Sequence, residues 1–499
     1  MNHIAQIPKK AAVLAVAALL LFLPHSCRRE LLDPVPINTL ADATAFATPD
    51  RFLSNLNGIY AQLKSGQFYG GRFLVYNDVR GEEFLNETGN GVTALQTWNH
   101  TVFESSNEVN NLWNAAYQTI NSCNIYIDRA DKNRSVVGND ALVDQYIAEA
   151  RFIRALCYHS LARMYCPPYA DVVANPSRNQ YGLPLRLRPE IGPENNDLAR
   201  SPVTEVYRQI LEDLNNAEPK LIATFGTGAA NALLNTTRAH RNTAIALKAR
   251  VYMGMQRYSD ALTELNKIVP ATPPFRAASG VPHELQANIR NVFSSPFTTT
   301  ESIFSMPFTP NNLPGTQNGL GSYYNPGPRG IGDFSLNPQG IIGNTNAFPS
   351  NDARRQFVLV HTNNKPYLNK FPLGPEHLDY APVLRYAEML LHVAEAEARV
   401  NGVNARALAA LNAVRSRSNP APAYTAADFA TVNDFINAVL TERRIEFLGE
   451  GHRAFDIQRL LQPFPAKGPV SAVPPTVSEY IWPIPSGERA TNKAIIPNP

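Results

Sequence analysis

Between Glu442 and Arg459 the chain reads ERRIEFLGEGHRAFDIQR, four acids and four arginines interleaved with Ile445, Phe447, Leu448, Phe455 and Ile457. Glu442, Glu446 and Glu450 recur at i, i+4 and i+8, a spacing that predicts one helical face for all three. Like charges so placed repel by roughly 0.2–0.5 kcal/mol per pair. Such a row is tolerable only where arginines reach it. Arg453, just beyond the glycine, is one candidate; others lie upstream in the segments Leu384–Ala398 (LRYAEMLLHVAEAEA) and Leu411–Arg417 (LNAVRSR). A dense set of carboxylates has two readings. One is a general acid and base pair, as in a glycosidase. The other is an ion-pair network of Glu442, Arg443, Glu446, Glu450, Arg453 and Asp456 that locks helices together. Arginine-matched acids on apolar helices favour the network.

The same three segments, in that order and followed by Trp482-Pro483-Ile484-Pro485, resemble the C-terminal signature of the SusD/RagB family. That family comprises outer-membrane lipoproteins that bind nutrients for import. In it a helix ending in an AEA run leads to LNxVRxR, then ERxxEFxxEGxRxxDxxR, and the chain closes on a WPIP-like segment. Any one of these motifs is weak evidence; four in order are strong.

The start of the chain fits a secreted origin. Residues 1–26 carry only Lys9 and Lys10 as charges, and an apolar run from Ala11 to Leu23 follows them. Thirteen residues are too few for a spanning helix, which needs about 20. A basic start, a short apolar run and a small residue, Ser26, predict an export signal over 1–26. Cys27 then predicts cleavage before it and lipidation of its thiol, a tether rather than a span. Pro24 and His25 stand where a lipobox carries Leu and a small residue, so a secreted protein with an incidental Cys is the alternative. The run from Cys27 to Pro34, CRRELLDP, is similar to the family's mature start. Without residues 1–26 the chain has 43 basic against 42 acidic residues. So even a balance argues against a nucleic-acid partner, which wants a concentrated basic face. Cys123, Cys157 and Cys166 allow one disulfide at most. They fall in helical patterns, where a buried thiol is the commoner state. No Cys/His cluster points to zinc or another metal.

Helical periodicity dominates the first half. Thr48 and Pro49 open a helix with the stripe Phe52, Leu53, Leu56, Tyr60 and Leu63. Asn107–Asp128 and Ala148–Tyr165 follow. They resemble the family's W-x3-Y-x2-I-x3-N element (Trp113, Tyr117, Ile120, Asn124) and its EAxFxRAxxY element (Glu149, Ala150, Phe152, Arg154, Ala155, Tyr158). Gly182 to Leu185 echoes the GxPL that trails them. Ser201 and Pro202 precede a further helix, and Asn242 to Val269 shows the small residues and Gly-x3-Tyr turn of a tetratricopeptide-like pair.

At Pro270 the character changes. To Pro382 the chain is rich in Pro, Gly and Asn, with a short strand expected at Ser302–Met306 and an Asn351–Arg355 element resembling the family's DxRR. Loops this long usually carry function. There is no GxSxG, HExxH or phosphate-binding loop, and no cofactor is expected. Sugars need flat aromatic platforms flanked by planar hydrogen-bonding groups. The glycine-rich stretches 66–99 and 311–334 carry that mixture, and family members that bind glycans place their site in these two regions. By position the candidates are Arg80, Trp98, Asn99, Tyr323 and Tyr324, with packing as the competing role for each.

The expected fold is mainly α: a tetratricopeptide-like helical-repeat scaffold with a loop-rich, partly irregular C-terminal portion, SusD-like. The expected division is a signal peptide at 1–26, an N-terminal helical region at 27–269, and a loop-rich and C-terminal region at 270–499. The resemblance implies a non-enzymatic, surface-exposed lipoprotein of the outer membrane. It would bind an oligosaccharide and pass it to a SusC-like TonB-dependent transporter. A peptide-binding member of the family and a carboxylate-dependent glycoside hydrolase are the alternatives.

Overall fold

The computed structural model describes residues 44–499; Cys27 and the expected signal peptide lie outside the described residues. From Thr48 onward the chain forms one unit. Its N-terminal half is helical: α1 (Pro49–Leu63), α2 (Arg72–Val79), α3 (Asn107–Lys132), α4 (Asp140–Tyr165), α5 (Val203–Ala217), α6 (Ala229–Thr237), α7 (Arg241–Gly254) and α8 (Tyr258–Leu265). Helices return as α9 (Tyr386–Asn401), α10 (Ala405–Arg415), α11 (Val432–Glu446) and α12 (Arg453–Arg459). Sequential neighbours pack on one another: α3 on α4, α4 on α5, α7 on α8 and α9 on α10. This is the helix-pair stacking of a repeat scaffold, in which each pair buries the face its neighbour leaves bare. Among the described residues no helix is long and apolar enough to cross a membrane.

Local chemistry sets the helix ends. Pro49 occupies the first turn of α1 with Thr48 as N-cap, although the threonine side chain makes no capping bond. The buried stripe of α1 is Phe52, Leu56, Ile59 and Leu63. Ile59 takes the inner place expected of Tyr60, whose hydroxyl instead donates to Glu149 Oε2 at 2.7 Å. Asn139 caps α4 by accepting from the Leu142 amide.

The polar residues of the two N-terminal motifs fasten helix to helix. Arg238 donates twice to the buried Glu149 of α4 (3.0 and 2.6 Å). Arg154 forks onto Asp213 of α5 (2.8 and 2.6 Å) and reaches Asn124 of α3 at 2.8 Å. Bidentate guanidinium–carboxylate bonds fix angle as well as distance. Trp113 packs against Tyr117 and Tyr165, and Trp482 of the C-terminal WPIP segment closes on Tyr165 and Tyr76. Cys123, Cys157 and Cys166 are buried free thiols. Burial raises all three above the ordinary thiol value.

Short antiparallel strands lie in the loop-rich half, with one more, β1, between α2 and α3. β2 (Ser302–Met306) falls where the sequence predicts a strand and pairs with β6 (Ala381–Arg385), through which the loops join α9. β1 (Phe84–Asn86) pairs with β3 (Phe334–Leu336), Phe84 opposite Leu336. β4 (Val358–Val360) pairs with β5 (Pro366–Leu368). The β1–β3 ladder draws the segments 66–99 and 311–334 together.

Candidate functional site

The acid row of the C-terminal signature is wholly buried. Glu442 and Glu446 lie on one face of α11. Glu450 does not continue that face, because the helix ends at Glu446 and the chain turns through Gly449 (φ +85°) and Gly451 (φ +75°). Only glycine enters that left-handed region without strain. Glu446 accepts from Arg417 (2.6 Å), Arg385 (3.1 Å) and Arg354 (3.2 Å). Glu450 accepts from Arg385 through both oxygens (2.7 and 2.8 Å) and from Lys370 (2.9 Å). Glu442 pairs with Arg354, which also forks onto Asp352 of the DxRR element. Glu301 closes the set from the start of β2 by accepting from Arg385 and Arg417. Arg385 and Arg417 come from the two upstream segments that the sequence points to. Arg453 does not: it forks onto Glu82 instead (2.9 and 2.7 Å). Arg443 and Arg459 share Asp456, and Arg459 continues to Glu395.

Burial pushes the Glu446 carboxyl up, but Arg417, Arg385 and Arg354 outweigh it and hold the group well below the usual range. Glu442, equally buried with Arg354 as its main counter-charge, is pushed up. Such a split is what close carboxylates sharing cations produce. Glycosidic acid–base work needs two carboxyls flanking an open cleft. Here Glu446 is 0% and Glu450 5% exposed, and each is taken by guanidinium or ammonium groups.

The structure brings the ligand candidates together, but mostly inside the protein. Trp98 is 5% exposed and donates its indole N–H to the Phe84 carbonyl at 2.8 Å. The Phe84 ring stacks on Tyr324 at 5.0 Å, and Tyr323 stacks on Phe334 at 6.5 Å. Tyr324 donates to Asp78 Oδ2 at 2.9 Å, and Tyr323 to the Gln317 carbonyl at 2.8 Å. Arg80 donates to the Tyr480 carbonyl at 2.6 Å and lies over the Phe464 ring. Four of the five candidates therefore offer no open ring face or free guanidinium in this conformation. Only Asn99, half-buried, keeps access to solvent. The cause is the β1–β3 pairing, which folds the two aromatic stretches against each other, while backbone carbonyls and the Asp78 carboxylate take up their polar ends.

Sequence reasoning missed Phe84, Phe464 and Lys467, which complete this cluster. Lys467 donates to the carbonyls of Val79 (2.5 Å) and Arg80 (2.9 Å), meets His100 Nε2 at 3.3 Å and sits over the Trp98 ring. Burial, then Arg80, drives its ammonium well below the ordinary lysine value. Burial likewise lowers Arg80 to about 9. Nothing in the local sequence around Lys467 marks it, since its partners stand far away in the chain.

What these buried rings support is an exposed polar edge. Along it run Thr88, Gly89 and Asn90 after β1, and Asn363, Asn364 and Lys365 before β5. Lys365 pairs with Glu87, whose other oxygen meets Ser335, and Thr88 donates to the buried Asp333 at 2.5 Å. These side chains are planar amides, hydroxyls and one ion pair, held by three short strands. Among the described residues no group of three or more His, Cys, Asp or Glu stands in a metal-holding arrangement.

Comparison with known proteins agrees along the length of the chain. A family model described as "SusD family" matches residues 336–499, and one described as "Starch-binding associating with outer membrane" matches residues 42–253. SusD-like protein P2 of Formosa agariphila is 24% identical, with 94% of this chain and 95% of that protein aligned. The crystal structure of a SusD superfamily protein from Bacteroides fragilis is 32% identical and superposes with a TM-score of 0.80, covering 90% of this chain and 99% of that one. Surface glycan-binding protein A from Bacteroides thetaiotaomicron, solved with laminarihexaose, shares the fold at 17% identity with a TM-score of 0.70, over 90% of this chain and 99% of its own. The model matching residues 42–253 is thus described as starch-binding and the Bacteroides thetaiotaomicron protein as glycan-binding. The chain belongs to the SusD family.

Proposed function

We propose that this protein is a surface glycan-binding lipoprotein that captures an oligosaccharide and delivers it to a SusC-like TonB-dependent transporter. The observation that carries the reading is family membership, and a protein of the same fold solved with laminarihexaose supports the ligand class. The description of the model matching residues 42–253 supports an outer-membrane setting, with Cys27 as the lipid attachment point. A lipid-tethered binder raises the effective ligand concentration at a neighbouring pore without breaking any bond.

The ligand lies along the loop edge bearing Asn90, Asn363 and Asn364, with Asn99 at its margin. Arg80, Trp98, Tyr323 and Tyr324 hold that edge in shape from beneath. Calorimetric titration with a panel of oligosaccharides and peptides tests this. Saturating heat with a glycan and none with peptides is the expected outcome; heat from peptides alone would replace the ligand class, and continuous heat would mean turnover. Replacing Asn90 and Asn363 together by Ala weakens glycan binding about tenfold or more; because the two side chains also accept from the Val92 and Lys365 amides and so hold their own turns, the melting temperature falls slightly. Trp98→Ala acts differently. Losing a buried indole costs about 3–5 kcal/mol, so this variant melts earlier, and any binding loss follows from the loosened loops.

A further inference from the structure

On the helical side of the molecule a separate hollow of about 170 Å³ opens beside α6. One wall is the turn Gly226–Gly228 with Ala232, Asn235 and Thr236 of α6; the other is Thr298, Thr299, Thr300 and Ser302, leading into β2. Val281 and Pro282 supply an apolar floor. No charged side chain lines it. The turn is built rather than loose: Asn235 accepts from the Phe225 amide at 2.8 Å and donates to the Gly226 carbonyl at 3.0 Å. The helix entering the hollow has Gly228 (φ +90°) as N-cap and no side-chain cap, so its first amides face outward unbonded by side chains.

Beneath the floor lie polar atoms without protein partners. His283 holds the Thr300 carbonyl with Nδ1 at 2.9 Å while its Nε2 has none. His240 stacks against it, and Asn242 has an unpartnered Oδ1. Buried polar groups left so are served by water, and none of these atoms lines the hollow itself.

Size and chemistry narrow the occupant. At about 30 Å³ per water the hollow holds about five waters. Drug-sized ligands occupy about 300 Å³ or more. A wall of threonines offers methyls and hydroxyls side by side, which matches a ring with C–H faces and a hydroxyl rim; the absence of charge in the lining argues against an ionic ligand. We propose that this hollow is a second, single-residue sugar site, which takes one free pyranose ring. The proposal rests on the glycan-capture reading for its ligand class and on a surface separate from the loop edge.

Saturation-transfer NMR and crystal soaking of the purified protein, with glucose, galactose and xylose as separate probes, test it. The expected result is one of these sugars seated between Thr236 and Thr299. Thr236→Val would then weaken binding about tenfold, and Ala232→Phe, which fills the space, would abolish it. Both variants would retain the wild-type melting temperature and oligosaccharide titration. Should Ala232→Phe not fold, the isosteric Thr236→Val carries the test alone. A sugar that binds both variants as well as wild type, inorganic phosphate binding in place of any sugar, or oligosaccharide binding at the loops with no monosaccharide binding each overturns the second site while leaving glycan capture intact. If no saccharide of any length binds, both readings fall.

Discussion

Glu446 sits among three arginines and none of its charge reaches water. Replacing it with Gln leaves Arg354, Arg385 and Arg417 short of one counter-charge in a buried place. Breaking a buried pair from one side costs about 3–5 kcal/mol, so Glu446→Gln lowers the melting temperature markedly, with ligand affinity little changed in the protein that remains folded. Thermal melts and titration of the same sample check both halves. An unaltered melting temperature would remove the structural role of the row. The motif showed that this row needed arginines, because an i, i+4 repetition of acids is read directly from spacing. It did not show which arginine goes where: Arg453 answers Glu82, hundreds of positions away, rather than its neighbours in sequence.

At the level of elements, helices were legible and loops were not. The periodic stripes of α1, α3, α4 and α5 depend on residues within one or two turns, and so they announce themselves. The inner place of Ile59 rather than Tyr60 on α1 is a small displacement of that pattern. The stretches 66–99 and 311–334 read as aromatic and glycine-rich, which is true, but their rings face inward because β1 and β3 pair. That pairing joins positions 84 and 336, and no local pattern reports it. The turn after α11 shows the same dependence. Gly451 has φ +75°, and a Cβ there would stand 2.9 Å from the Leu74 Cα of α2. Gly451→Ala therefore meets both backbone strain of about 1–2 kcal/mol and a clash with backbone. The expected result is a lower denaturation midpoint, by more than the strain alone, with α2 and α12 the elements whose amide protection drops.

Across the whole molecule, buried histidines set an acid limit. His159, His392 and His452 are held well below the ordinary imidazole value, by burial first and then by nearby arginines. Burial also lowers His283 to about 4 and His240 to about 3. Each stays neutral in the fold while the unfolded chain takes up its proton below about pH 6.5. Stability is therefore full above that value and falls by about 1.4 kcal/mol per pH unit for each such histidine, until the folded-state value is reached. The paired acids act in a lower window. Glu446, Asp456 and Glu395 have depressed folded values, so their contribution holds above about pH 4 and is lost below it. Urea midpoints measured from about pH 7.5 down to about pH 5 should decline as these five histidines outweigh Asp379, whose carboxyl burial raises to about 7 and which acts in the opposite sense, and a flat profile there would contradict the buried neutral histidines. A last consequence follows from the Glu82–Arg453 bond, whose partners are 371 residues apart. A ribosome delivers the first of them long before the second. The nascent N-terminal half can coil into its helices on arrival, but Leu74 and Glu82 find their cover only when nearly the whole chain has emerged. Closing so long a loop is slow and leaves apolar surface waiting. Chains halted short of Gly451 should be degraded rather than folded, and in the cell the sealing of the loop platform becomes a checkpoint on complete synthesis.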